Sequence, residues 1–393
     1  MKKKTKQAGP AAWLRENKWT CAVLAAALVL LIVGRLLAAP ARVEAGQPEE
    51  RADYESAVVE QVLSDSTEKD PAADNGYRGE QLLLVTVKSG DYQGQQMQVY
   101  NYVGPLYGGP LHAGDRATIL ISSYSDGTVN ATVYEFDRLI PLAIVVALFI
   151  AAAVIVGGRT GAKSLVALAV TLMCLFGVLL PALMKGANTM LMTFIVCAYV
   201  AVVSLTIVGG VQKKSVCAML GAVAGTALAL LFGLLAQALT RVDGLRIEDV
   251  EPLLQLRQTG TPIGLRGLLV GGIIISALGA VMDVTMGIAS SLAEVHAANP
   301  QLSRRELFRS GMNIGRDMVG TMTNTLILAF LGSGFTLILY LYSLGLSFRQ
   351  LMSSAYVSME VVSGVASSVG VILSIPLTAL ITAAVFTREK QKS

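Results

Sequence analysis

The feature that most constrains this 393-residue chain is a series of apolar runs, each near the roughly 20 residues a helix needs to cross hydrocarbon. They fall at residues 20–39, 139–157, 164–184, 189–209, 215–239, 267–288, 318–345 and 366–387. Hydrocarbon offers backbone groups no hydrogen-bond partner, so each run is expected to be a helix that pairs its own N–H and C=O groups. The sequence therefore predicts an α-helical polytopic membrane protein with about eight transmembrane helices. With 53% apolar and 15% charged residues, a soluble reading fails.

Charge sets the expected orientation. Lys2, Lys3, Lys4, Lys6, Arg15 and Lys18 precede the first run. Arg159/Lys163, Lys213/Lys214, Arg304/Arg305/Arg309 and Arg388/Lys390/Lys392 then fall on the same side if every run crosses. The positive-inside rule makes that side cytoplasmic, with both termini on it. Lys185, Arg241, Arg246, Arg257, Arg266 and Arg349 fall on the other side. The net charge of +4 is modest and its bases sit between spans, so no nucleic-acid partner is expected. The first segment, 1–40, is expected to be a basic start and an uncleaved anchor. A cleaved signal peptide is the alternative, because Arg35 shortens the strongly apolar part and Val43-Glu44-Ala45 has cleavage-site character.

Residues 41–137 differ in kind and are expected outside the membrane as a small all-β domain. Period-two stretches at 56–63, 81–87, 95–100, 117–122 and 129–136 predict five strands. Ser89-Gly90, Gly104-Pro105, Gly108-Gly109-Pro110, Gly114-Asp115 and Asp126-Gly127 supply turns between them. Five strands in this length close as an OB-like barrel or stack as an open sandwich. Residues 49–54 and 68–74 read as solvated loop. The remainder, 138–393, is expected to be a seven-helix transmembrane domain.

Candidate chemistry lies within the spans. Asp283 falls inside an apolar run, where a charge is costly unless a partner, water or an ion path meets it. Arg316, opening the next run, is a candidate ion-pair partner. Asn313, Asp317, Gly320, Thr321 and Asn324 recur at i, i+3 and i+4 spacing, which places them on one helix face. Glycines 311, 315 and 320 permit close packing, but packing does not explain Asn313, Asp317 and Asn324 together. In the last run Glu360, Gly364, Ser367, Val371, Ser374 and Thr378 form a stripe expected to face protein. Pro376 frees a carbonyl there, and Gly221/Gly225 and Gly267/Gly271 read as GxxxG packing surfaces.

Enzymatic motifs fail. Residues 157–164 (GGRTGAKS) lack the glycine directly before lysine that a phosphate loop requires. His112 and His296 stand on opposite sides of the membrane in this topology, and neither HExxH nor GxSxG occurs. Cys21, Cys174, Cys197 and Cys217 form no CxxC pair, so no disulfide, metal or cofactor is expected and the chain is not read as an enzyme.

At 279–294 (GAVMDVTMGIASSLAE), 310–325 (SGMNIGRDMVGTMTNT) and 368–378 (SVGVILSIPLT) the sequence resembles the YibE/F-like family of bacterial multispanning proteins. The resemblance extends over most of the chain. It implies a bacterial cytoplasmic membrane protein from a family described as permeases without an agreed substrate. The resulting expectation is a secondary transporter or permease for a small solute or ion, with Asp283, Asn313, Arg316, Asp317, Thr321, Asn324 and Glu360 lining its pathway. A non-transporting scaffold or accessory subunit, whose outer domain binds an envelope or protein partner, is the alternative. Expected partners are the lipid bilayer, a small solute or ion, and a homo-oligomeric or envelope-protein contact.

Overall fold

The computed structural model describes residues 50–387 apart from 72–75, 106, 125–127, 243–250, 259, 261 and 266. The expected anchor at 20–39 and the basic tail from Arg388 lie outside the described residues. The described chain falls into two compact units that divide near Ala153.

The first unit contains β1 (Glu50–Asp65), β2 (Glu68–Lys69), β3 (Tyr77–Val87), β4 (Gln96–Val103), β5 (Arg116–Tyr124) and β6 (Val129–Phe136). The long β1 pairs antiparallel with β5 through its first half and with β3 through its second. Register shifts at Val59/Gln61 and Val62/Ser64 bend it, as bulges do, so that one strand serves two neighbours. β3 pairs with β4 and β5 with β6, both antiparallel, and a parallel bridge at Tyr100–Thr132 joins β4 to β6. The neighbours therefore run β1-β3-β4-β6-β5 and return to β1. This closed five-stranded barrel has OB-like connectivity, and β2 is a two-residue addition on β3.

Alternation builds the barrel's interior. Leu83, Val85 and Val87 of β3 and Ala117, Ile119 and Ile121 of β5 pack with Ala57, Val59 and Val99. Glu50–Tyr54, read from sequence as loop, is strand: it pairs residue for residue with Leu120–Tyr124. Its polar side chains hid a backbone whose partner lies some seventy positions away.

α1 (Leu139–Cys174) runs across this division and continues through a π-helical turn (Leu175–Leu179) into α2 (Leu180–Met184). Together they form one 46-residue helical run where the sequence predicts two spans. Gly158, at φ 53° and ψ −131°, interrupts it within the expected turn; that backbone region favours glycine. There follow α3 (Thr189–Gly209), α4 (Lys213–Thr240), α5 (Glu251–Gln258), α6 (Leu268–Ala298), α7 (Arg304–Ser333), α8 (Phe335–Ser343), α9 (Phe348–Ser353) and α10 (Ala355–Thr387). Five helical segments among the described residues are long and apolar enough to cross a membrane. The α7–α8 pair, bent by 64°, makes a sixth if it is one span.

Small residues let these helices approach closely. Gly221 and Gly225 of α4 face Thr378 and Ser374 of α10, and Gly370 of α10 faces Ala229. The GxxxG expectation for α4 thus holds, and α10 lies against α4, α6 and α7. The α10 stripe faces protein as expected, with Gly364, Ser367, Val371, Ser374 and Thr378 buried. Its hydroxyls are satisfied locally: Ser374 Oγ donates to Val371 O at 2.7 Å and Thr378 Oγ1 to Ser374 O at 2.7 Å. Across the helices Ser276 Oγ and Ser367 Oγ stand 2.8 Å apart.

Candidate functional site

α7 starts at a capping box: Ser303 Oγ accepts from Glu306 N–H at 3.3 Å, and Glu306 Oε2 accepts from Ser303 N–H at 2.8 Å. Two otherwise unpaired donors are satisfied, which fixes where the helix begins. From there one side of α7 packs inward. Leu307, Gly311 and Gly315 are buried. A Cβ on Gly311 would stand 2.9 Å from Ala379 and from Leu292, and one on Gly315 would overlap Ile375. Gly311 and Gly315 are thus packing glycines, whereas a Cβ on Gly320 would meet nothing within 4 Å.

The opposite side carries the polar residues. Asn313, Arg316, Asp317, Thr321 and Asn324 are all exposed in the single chain. Their face is about 17 Å long, from 1.5 Å of rise per residue. The Arg316 guanidinium donates to Asn313 Oδ1 at 3.3 Å, and Thr321 Oγ1 donates to Met318 O at 3.1 Å. Asp317 and Asn324 make no hydrogen bond or ion pair with another described residue.

Asp283 is exposed on α6, at the end of a stripe with Gly272, Ile275 and Gly279. The expected Asp283–Arg316 ion pair is not formed. α6 and α7 meet through Gly287 and Met318, Ile288 and Gly315, and Leu292 and Gly311. That antiparallel register uses the small and apolar residues, and it leaves both charges outside the contact.

Glu360 sits elsewhere. It is half-buried on α10 and lines a cavity of about 150 Å³ between α7, α8 and α10. Ile327, Phe330, Leu331, Ile338, Tyr356 and Val365 are among the other lining residues, so Glu360 is the one acid in an otherwise apolar lining. The 64° bend at Gly334 carries Ile338 over this space. Sequence reasoning missed the cavity, although Gly332-Ser333-Gly334 inside an apolar run was a sign of the bend.

The seven expected residues therefore occupy three places in a single chain: the outward face of α7, an outward position on α6, and the cavity beside α10. The outward α7 face presents a guanidinium, a carboxylate, two amides and a hydroxyl. These can bind a hydrated ion or a polar solute, or pair with another polar face.

The buried polar centre of the barrel was also missed. Gln81 and Asn101 are only 1% and 2% exposed. Asn101 Nδ2 donates to Gln81 Oε1 at 2.9 Å, which also accepts from Leu111 N–H at 2.9 Å. Gln81 Nε2 donates to Asp65 Oδ2 at 2.9 Å. The network ties the connection before β5 to the barrel wall. It is a structural device, since its polar groups are directed at one another.

The long apolar helices suggest a multi-pass membrane protein. No curated protein and no solved structure matches the chain. The match to the family model described as YibE/F-like protein covers residues 145–388, so it embraces the helical unit and leaves the barrel outside. The stretches around Asp283, Asn313–Asn324 and Glu360 all fall within the matched residues, which exceed half of the chain, and the chain belongs to the YibE/F-like family.

Proposed function

We propose that the protein is a secondary permease for a small solute or ion, in a bacterial cytoplasmic membrane. The observation that carries this reading is the exposed α7 face with Asn313, Arg316, Asp317, Thr321 and Asn324. These groups open the apolar run 318–345 and continue into it, where lipid cannot satisfy so many donors and acceptors and polar groups mark hydrated routes by default. Asp283 and Glu360 are the acids proposed to exchange a proton or hold a cation along the route. The chain needs no catalytic group or cofactor for this work. Eight crossings are proposed. The 46-residue α1–α2 run is about 69 Å long, twice the hydrocarbon thickness, which supports two crossings that turn at Gly158. Both termini are then cytoplasmic and the barrel is outside.

A flux panel on the purified protein in liposomes tests the reading, comparing wild type with D283N and E360Q. Transport of at least one small ion or solute is expected, reduced in both variants while each remains monodisperse. Absence of flux across the panel, or flux indifferent to both substitutions, would favour a scaffold instead. One observation supports that second reading: Tyr100 and Tyr102 on β4 are exposed and stacked with ring centroids 6.4 Å apart, and exposed Tyr107 lies 6.4 Å beyond. Such a face suits an envelope or protein partner.

A further inference from the structure

We propose that the outward polar face of α7 is covered by the same face of a second copy of this chain, in a dimer whose two-fold axis runs along the membrane normal. Within one copy α7 commits its other side to α6 and α10, through Leu307, Gly311 and Gly315. Among the described residues of that copy, none covers Arg316, Asp317 or Asn324, which are exposed. Lipid is an unsuitable cover, because each group brings hydrogen-bonding capacity that hydrocarbon leaves unmet.

The arrangement of charge selects a second copy as the occupant. A two-fold axis along the normal keeps every residue at its own depth, so α7 runs parallel to its counterpart. Arg316 and Asp317 are adjacent and differ in depth by about 1.5 Å. Each guanidinium therefore meets Asp317 of the partner subunit, and the two contacts are reciprocal, as an isologous interface requires. One cation and one anion make the face neutral and complementary to itself. Asn313 and Asn324 flank this pair, and an amide carries both donor and acceptor, so each matches its own copy at the same depth. Gly320 lies between them, where an added Cβ meets nothing within 4 Å in one chain, so it leaves room for the partner's backbone. The proposal deepens the permease reading by placing the polar route between two copies. It rests on that reading only for the use made of the interface.

Oxidative cross-linking in native membranes tests it, with G320C compared with L231C, whose site is exposed on α4. G320C is expected to give a band of twice the chain mass that reductant removes, and L231C is not. The mass of the wild-type protein in lipid nanodiscs is expected to be that of two chains. R316D should raise the dimer dissociation constant about a hundredfold, since it sets like charges against each other where opposite charges met. The swap R316D/D317R should restore it, which separates lost pairing from lost folding. A single-chain mass in nanodiscs, equal cross-linking of G320C and L231C, cross-linking of G320C to a different protein, or undiminished dimerisation of R316D would overturn the proposal. A dimer without flux would leave the interface standing and remove the permease reading. Flux from a single-chain species would do the reverse.

Discussion

At the scale of single residues, identical residue types do opposite work according to what faces them. Gly315 is buried where a Cβ would overlap Ile375, whereas Gly272 on α6 looks into open space. G315A is therefore expected to destabilise the protein by about 1–3 kcal/mol through overpacking. G272A should lose nothing and gain up to about 1 kcal/mol of helix propensity. Melting temperatures of the two variants in one detergent check the contrast, and equal shifts would contradict it. Asp65 adds a pH dependence. Its carboxylate accepts from Thr67 N–H at 2.9 Å and Thr67 Oγ1 at 2.7 Å, and from Gln81, which holds it below the ordinary carboxyl range. A depressed folded value stabilises the barrel above the unfolded pKa, near 3.9. The contribution is lost as pH falls through the folded value. Wild type should thus unfold at higher denaturant than D65N at pH 6, and the two midpoints should converge as pH falls from about 4 through the folded value.

At the scale of elements, α7 divides its surface between packing and polar groups. Cysteines replacing Asn313, Asp317 or Asn324 are expected to react with small aqueous thiol reagents. A cysteine at Leu307, which is fully buried, should remain inert. If the three polar positions were as inert as Leu307, the face would be dry and the route through it would fail. Beyond the bend at Gly334, α8 and α9 expose Phe335, Tyr340, Tyr342 and Phe348. Tyrosines such as Tyr340 and Tyr342 are characteristic of the membrane–water boundary, and the run 318–345, expected as one straight span, is instead the end of α7 and α8 bent by 64°. α10 stays helical through Pro376, and its hydroxyls turn back onto their own carbonyls. The stripe is a packing surface, and the polar route is proposed for the outer side of α7 instead.

For the whole molecule, the proposed topology sets the barrel and the α6–α7 connection on opposite sides of the membrane. An impermeant thiol reagent applied to intact spheroplasts should label Y107C in the barrel and spare A297C at the end of α6. Both positions are exposed, so access and not burial decides the result. Labelling of A297C from outside would reverse the orientation of α6 and α7 and require a different number of crossings.

The sequence by itself determined the membrane class, the boundary between a β-rich segment and a helical one, and the sharing of one α7 face by Asn313, Asp317 and Asn324. Each follows from a local period or a local length: about 20 apolar residues, alternation by two, or spacing by three and four. It also identified the α4 and α10 small-residue stripes as contacts. Only the tertiary structure decided which neighbour each face meets. Helical spacing says that Gly311 and Gly315 lie on one side of α7 and Arg316 near the other, but not that α10 takes the first and leaves the second outside. For the same reason Asp283 and Arg316, near each other in every sequence-level picture, stay unpaired: the α6–α7 register is set by Met318 over Gly287 and Leu292 beside Gly311. Barrel closure is likewise non-local. It rests on a parallel bridge between Tyr100 and Thr132, a contact that no periodicity encodes.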